Sequence, residues 1–87
     1  MSDETLLEFP CEFSIKAMGL AVPDFDLLVV EIVRRHAPDI REGSVTTRPS
    51  KNGKYLAVTV TIEATSKDQL DAIYQDLTDH EKVLMSL

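Results

Sequence analysis

Residues 54–64 alternate without a break. Leu56, Val58, Val60, Ile62 and Ala64 fall on one side and Tyr55, Ala57, Thr59, Thr61 and Glu63 on the other. A period of two over this length specifies a β-strand that lays an apolar face on a core and turns its second face elsewhere. The residues before it, Ser50-Lys51-Asn52-Gly53, form a turn signal in which Asn52-Gly53 is a favoured hairpin pair. A partner strand is therefore expected from Glu42 to Pro49 around Val45 and Thr47, with Pro49 placing its far end near an edge or turn.

The same alternation recurs near the start. Phe13, Ile15 and Ala17 alternate with Ser14, Lys16 and Met18 from Cys11 onward, and Gly19 is expected to end this strand before a loop to Pro23. The period then changes. Phe25, Leu28, Val29, Ile32, Val33 and His36 recur at three and four residues, one face of a helix that Asp24 is placed to cap. Arg34, Arg35 and His36 suit its last turn, and Pro38 stops it. A second helix follows a cap at Thr65 or Ser66, with Asp68 in its first turn and Leu70, Ile73, Tyr74 and Leu77 as its apolar face. A last strand is expected over Lys82 to Leu87, with Val83, Met85 and Leu87 inward. The order β-α-β-β-α-β predicts an α+β, ferredoxin-like sandwich: a four-stranded antiparallel sheet with both helices on one face. Residues 11–87 make that single domain, and residues 1–10 read as an N-terminal leader in which Pro10 restricts Phe9 to extended geometry.

With 87 residues there is room for one domain with a thin core, and a large internal cleft is hard to accommodate. The charge of −6 opposes binding to phosphate backbones and to anionic lipid. No apolar run approaches the roughly 20 residues that span a bilayer. Met1 to Glu8 has three acids and no base, unlike a signal or transit peptide, and the single Cys11 suits a reducing compartment. The expectation is a soluble cytoplasmic protein.

Function has to come from the uncovered sheet face and the loops. By alternation that face carries Ser14, Lys16 and Met18, Tyr55 through Glu63 at every second position, and Leu84 and Ser86. One aromatic on an acidic chain argues against stacking of RNA bases, whereas a Thr, Ala and Met surface suits partner docking. Arg48, Lys51 and Lys54 form the basic cluster. The turn Ser50 to Lys54 has a geometry that holds anions on N–H groups elsewhere, although such charges more often only solvate a hairpin. Gly19 allows close approach of a ligand or of another part of the chain. His36, His80 and Cys11 lack metal-ligand spacing, and no base and orienting group accompany a nucleophile, so no metal or catalytic constellation is read. Paired acids such as Asp24/Asp26 and Asp76/Asp79 read as solvated helix charges.

Several stretches taken together carry a resemblance. Leu7-Glu8-Phe9-Pro10, then Phe13, Lys16 and Met18-Gly19, then Val33-x-Arg35-His36-Ala37-Pro38 resemble the YbeD-like family of small bacterial proteins. The match continues through Pro49-Ser50-Lys51-x-Gly53-x-Tyr55 and Val58-x-Val60-x-Ile62-x-Ala64. The resemblance implies a stand-alone ferredoxin-like domain similar in fold to the ACT domains that bind amino acids on metabolic enzymes. It also implies a metabolic link to lipoate attachment. In ACT domains the ligand lies by the first strand, its following loop and a neighbouring copy, which corresponds here to Met18-Gly19, with Asp24 and Asp26 disfavouring a carboxylate. The reading that results is a non-enzymatic regulatory or adaptor protein without a cofactor, docking a protein partner or a second copy. Its expected surface is Lys16, Met18, Gly19, His36, Ser50, Lys51, Gly53, Lys54 and Tyr55, with Lys16 and Tyr55 forming one polar patch. A sensor of amino acids or lipoate-related acids, binding a small anionic metabolite, is the alternative; an RNA-binding module or a small enzyme ranks below both.

Overall fold

The computed structural model describes residues 8–41 and 43–87. Six elements follow in the expected order: β1 (Cys11–Leu20), α1 (Phe25–Arg34), β2 (Val45–Pro49), β3 (Tyr55–Ala64), α2 (Lys67–Asp79) and β4 (Met85–Ser86). The strands form one antiparallel sheet in the order β2-β3-β1-β4. The long central pair β1 and β3 runs in register from Cys11 opposite Ala64 to Leu20 opposite Tyr55. Most of the leader, residues 1–7, and Glu42, the expected start of β2, lie outside the described residues.

The alternation does what it promised. Ile15, Ala17, Val58, Val60, Ile62 and Ala64 are buried on one side of the sheet, against Phe25, Val29, Ile32 and Val33 of α1 and Leu70, Ile73 and Leu77 of α2. Among the described residues no polar or charged side chain is buried in this core. Removing apolar surface from water is the dominant favourable term in such a fold, and here it is concentrated in the layer between the sheet and the two helices.

Several boundaries differ from expectation, each for a local reason. β1 does not stop at Gly19, because Gly19 and Leu20 go on pairing with Leu56 and Tyr55. Gly19 is needed for packing instead: a Cβ there would stand 2.4 Å from the Lys82 carbonyl oxygen and 2.5 Å from the Phe25 ring. Asp24 sits at the α1 N-cap without a side-chain capping bond. Ser66 does cap α2, its Oγ accepting from the Gln69 N–H, while Gln69 Oε1 accepts from the Thr65 N–H. This reciprocal arrangement is close to a capping box, displaced by one residue on the return bond.

The largest correction concerns β4. Met85 and Leu87 do not point inward; Met85 pairs with Met18 and Ser86 with Ala17, so it is Ser86 that takes the helix-side position. The Leu84 N–H bonds to the Met18 carbonyl and the Leu87 N–H to the Lys16 carbonyl, three residues on β4 against two on β1. One extra residue in the ladder is a β-bulge, and it shifts the phase of everything after it. Val83, before the bulge, still packs against the core.

Candidate functional site

The sheet face away from the helices is built in rows, because residues paired across antiparallel strands point the same way. One row is Arg48, Ala57, Met18 and Met85, reading from β2 to β4. The next toward the start of β1 is Thr46, Thr59 and Lys16, with Leu87 joined to Lys16 by a reciprocal pair of backbone bonds. Beyond it Ser14 and Thr61 share a side-chain hydrogen bond of 3.1 Å. Tyr55 and Leu20 close the face at the hairpin end, and Glu63 opposite Glu12 closes it at the other.

This face is apolar at one end and polar at the other. Leu20, Met85 and Leu87 are 49%, 53% and 66% exposed, and they surround the half-buried Met18. Sequence reasoning found Lys16, Met18 and Tyr55 here but missed Leu20, because the first strand is expected to end at Gly19, and Met85 and Leu87, because the bulge in β4 leaves no mark in the hydrophobic pattern. Lys16 and Tyr55 share the face without forming one patch. Lys16 stands opposite Thr59 and Tyr55 opposite Leu20, with the Met18–Ala57 row between them. Four residues of strand separate the two, roughly 13 Å. The neighbour of Tyr55 is Lys54, whose Nζ lies 5.5 Å from the ring centroid.

The hairpin serves its own turn. The Gly53 N–H donates to the Ser50 carbonyl, the Lys54 N–H to Asn52 Oδ1 and the Tyr55 N–H to Ser50 Oγ. Gly53 has φ +76°, which a side chain would resist. Three of the turn's N–H groups are thus engaged within the turn, and Lys51 and Lys54 remain as exposed charges. The outer edge of β2 is restricted as well. Ser44 and Ser50 bond to β3, so by alternation the backbone groups of Val45, Thr47 and Pro49 face outward, and Pro49 has no N–H to offer.

His36 lies apart from this face. Its Nε2 is 2.6 Å from Asp76 Oδ2, and its carbonyl accepts from Gln69 Nε2 at 2.8 Å. Asp76 is thus not a free helix charge: the pair ties the end of α1 to α2, beside an open cleft that Glu12, Arg41, Thr61 and Glu63 also line. No hydroxyl or thiol of the described residues is hydrogen-bonded to the His36 ring. Among the described residues no group of three His, Cys, Asp or Glu side chains could hold a metal ion, and no helix is long and apolar enough to cross a membrane. Gly19, buried under Phe25, presents no surface of its own.

Comparison with known proteins agrees with the motifs. Residues 4–87 match the model of a family described as proteins of unknown function, DUF493. A UPF0250 protein of Nitrosomonas europaea, NE1487, is 47% identical over 87 residues, covering all of both chains. A UPF0250 protein of Chromobacterium violaceum is 49% identical over 89 residues, again with full coverage of both, and one of Neisseria gonorrhoeae is 47% identical over 95% of this chain and 91% of its own. In fold the chain is similar to the solution structure of protein HP0495 from H. pylori, with a TM-score of 0.73 at 18% identity over 99% of this chain and 90% of that one. With the βαββαβ order, the YbeD-like motifs and full-length identity near one half all in agreement, this chain belongs to the UPF0250 (DUF493) family.

Proposed function

We propose that this protein is a small, non-enzymatic regulatory or adaptor module of the cytoplasm that works by docking through the uncovered face of its sheet. The observation that carries the reading is the exposed apolar strip of Leu20, Met85 and Leu87 around Met18, on a face that no described element covers. Large apolar side chains gathered on one surface favour a partner, since contact removes them from water. The chemistry elsewhere supports a binding role: His36 and Asp76 are engaged with each other, and the Gly53, Lys54 and Tyr55 N–H groups with the hairpin itself.

The test is site-specific photo-crosslinking in cells, with the crosslinker placed at Thr59 on the open face or at Gln75 on α2. A discrete adduct from position 59, lost when Met85→Asp and Leu87→Asp are added, supports docking at this face. Adducts of equal yield from both positions, or none from position 59, overturn it.

A further inference from the structure

The uncovered face differs in charge from the rest of the molecule. Lys16 and Arg48 stand on it, Lys54 lies over Tyr55 at its rim and Lys51 sits in the adjoining turn. From the Ser14–Thr61 row to the hairpin, the described rows place no Asp or Glu side chain on it. The acids lie at the far end of the face, Glu12 and Glu63, and on the helices: Asp26 and Glu31 on α1, and Asp68, Asp71, Asp76 and Asp79 on α2. A chain of net charge −6 therefore presents a cationic, apolar patch on the hairpin side of this face, with the Glu12–Glu63 pair at its far end.

Resting on the docking reading above, we infer that the occupant of this face is an acidic segment of another protein with apolar anchors. The anchors would cover Met18, Met85 and Leu20, and the carboxylates would meet Lys16 and Arg48. Apolar contacts at the centre with charges around them are how such interfaces divide affinity from specificity.

The rows argue against a second copy. If two faces packed about a two-fold axis along the Arg48–Met85 row, Arg48 of one copy would meet Arg48 of the other and Lys16 would meet Leu20, with no carboxylate between them. Sliding the copies until Glu12 and Glu63 reached the basic end would set Met18 and Met85 against Ser14 and Thr61. Neither of these self-complementary arrangements satisfies charge and apolar burial together. A nucleic-acid strand is disfavoured because Tyr55 is the face's one aromatic ring and Lys54 lies over it, leaving no free stacking platform.

The experiment is a nuclear magnetic resonance titration of the full chain, labelled with nitrogen-15, against synthetic peptides of about 16 residues, long enough for four helical turns. The first has leucines at helical spacing and glutamates elsewhere; the second replaces each glutamate by lysine; the third keeps the glutamates and replaces each leucine by serine. An oligouridine strand is the fourth probe, and sedimentation velocity reports self-association. The expected result is that the Leu/Glu peptide moves the amide signals of Lys16, Met18, Ala57 and Met85. The other two peptides should bind at least tenfold more weakly, and Lys16→Glu/Arg48→Glu should weaken the first by at least tenfold in a chain that circular dichroism shows to be folded.

Equal binding of the lysine peptide to the same amides overturns the acidic partner while leaving open-face docking standing. Shifts confined to α1 and α2, tighter binding of oligouridine, a dimer abolished by Met18→Glu, or no response to the Leu/Glu peptide each overturn the inference. Docking at the face itself is judged separately, by the crosslinking from position 59.

Discussion

Met85 lies directly across the ladder from Met18, on the side of the sheet that the helices leave bare. The pairing follows from the extra residue between the bonds that the Leu84 and Leu87 N–H groups make to β1, and it converts two residues that would have been core into surface. Met85→Ser should therefore change stability by no more than about 0.5 kcal/mol, as for other surface substitutions. Ile73→Ala, at a fully buried position on α2, should cost about 2–5 kcal/mol through lost burial and a cavity. Urea unfolding of the two variants compares them directly. A loss at Met85 as large as that at Ile73 would mean that Met85 packs inward after all.

The contact of His36 with Asp76 spans the ends of the two helices, with both side chains about a third exposed or less. A pair held at 2.6 Å but still partly hydrated should couple by about 1 kcal/mol or below. A double-mutant cycle of His36→Ala and Asp76→Ala measures this coupling. Strictly additive losses would show that each residue contributes through its own packing.

The fold was legible because its signals are long and agree with one another. Ten residues of β3 alternate, α1 and α2 keep helical spacing, and the Asn52-Gly53 turn joins β2 to β3 as expected. The site was half legible. Lys16, Met18 and Tyr55 inherit their face from β1 and β3, whose register leaves them no choice. β4 could not be read the same way. Lys82 to Leu87 has apolar residues in both phases, Val83 and Met85 against Leu84, and a bulge in a two-residue strand is set by backbone bonds to Met18 and Lys16. The His36–Asp76 pair joins residues forty apart on different helices, a distance over which local spacing carries no information.

Tyr74 supplies a prediction in alkali. Burial disfavours its phenolate and raises its pKa above the ordinary 10.0, and its hydroxyl donates to the Leu87 backbone oxygen at 2.7 Å. Because the folded state holds this proton more tightly, its contribution is intact below the unfolded pKa and is lost as pH rises through the higher folded value. Lys67, raised from 10.5 chiefly by its hydrogen bond to Asp71, moves stability in the same direction over the same range. Tyr74→Phe removes only the tyrosine's share. Its urea midpoint should fall less than that of the wild type between about pH 8 and pH 11, a window that brackets the phenol's titration. Parallel declines in the two proteins would show that the phenol is not the group responsible.

Gly19 gives the sharpest test of the packing under the hairpin end of β1. Alanine is ordinarily easier than glycine to hold in a strand, because glycine loses more backbone freedom on folding. Here the added Cβ meets the Lys82 carbonyl at 2.4 Å and the Phe25 ring at 2.5–2.6 Å, so either the backbone or the ring has to move. Gly19→Ala should destabilise the fold by about 1–3 kcal/mol, the range for forcing extra volume into a packed site. Shrinking the ring with Phe25→Leu relieves one of the two clashes and leaves the carbonyl. The double variant should therefore lose less than the sum of the single losses, without returning to the stability of Phe25→Leu alone. Additive losses would place the Phe25 ring farther from Gly19 than this packing requires, and a stabilising Gly19→Ala would leave the glycine without its structural reason.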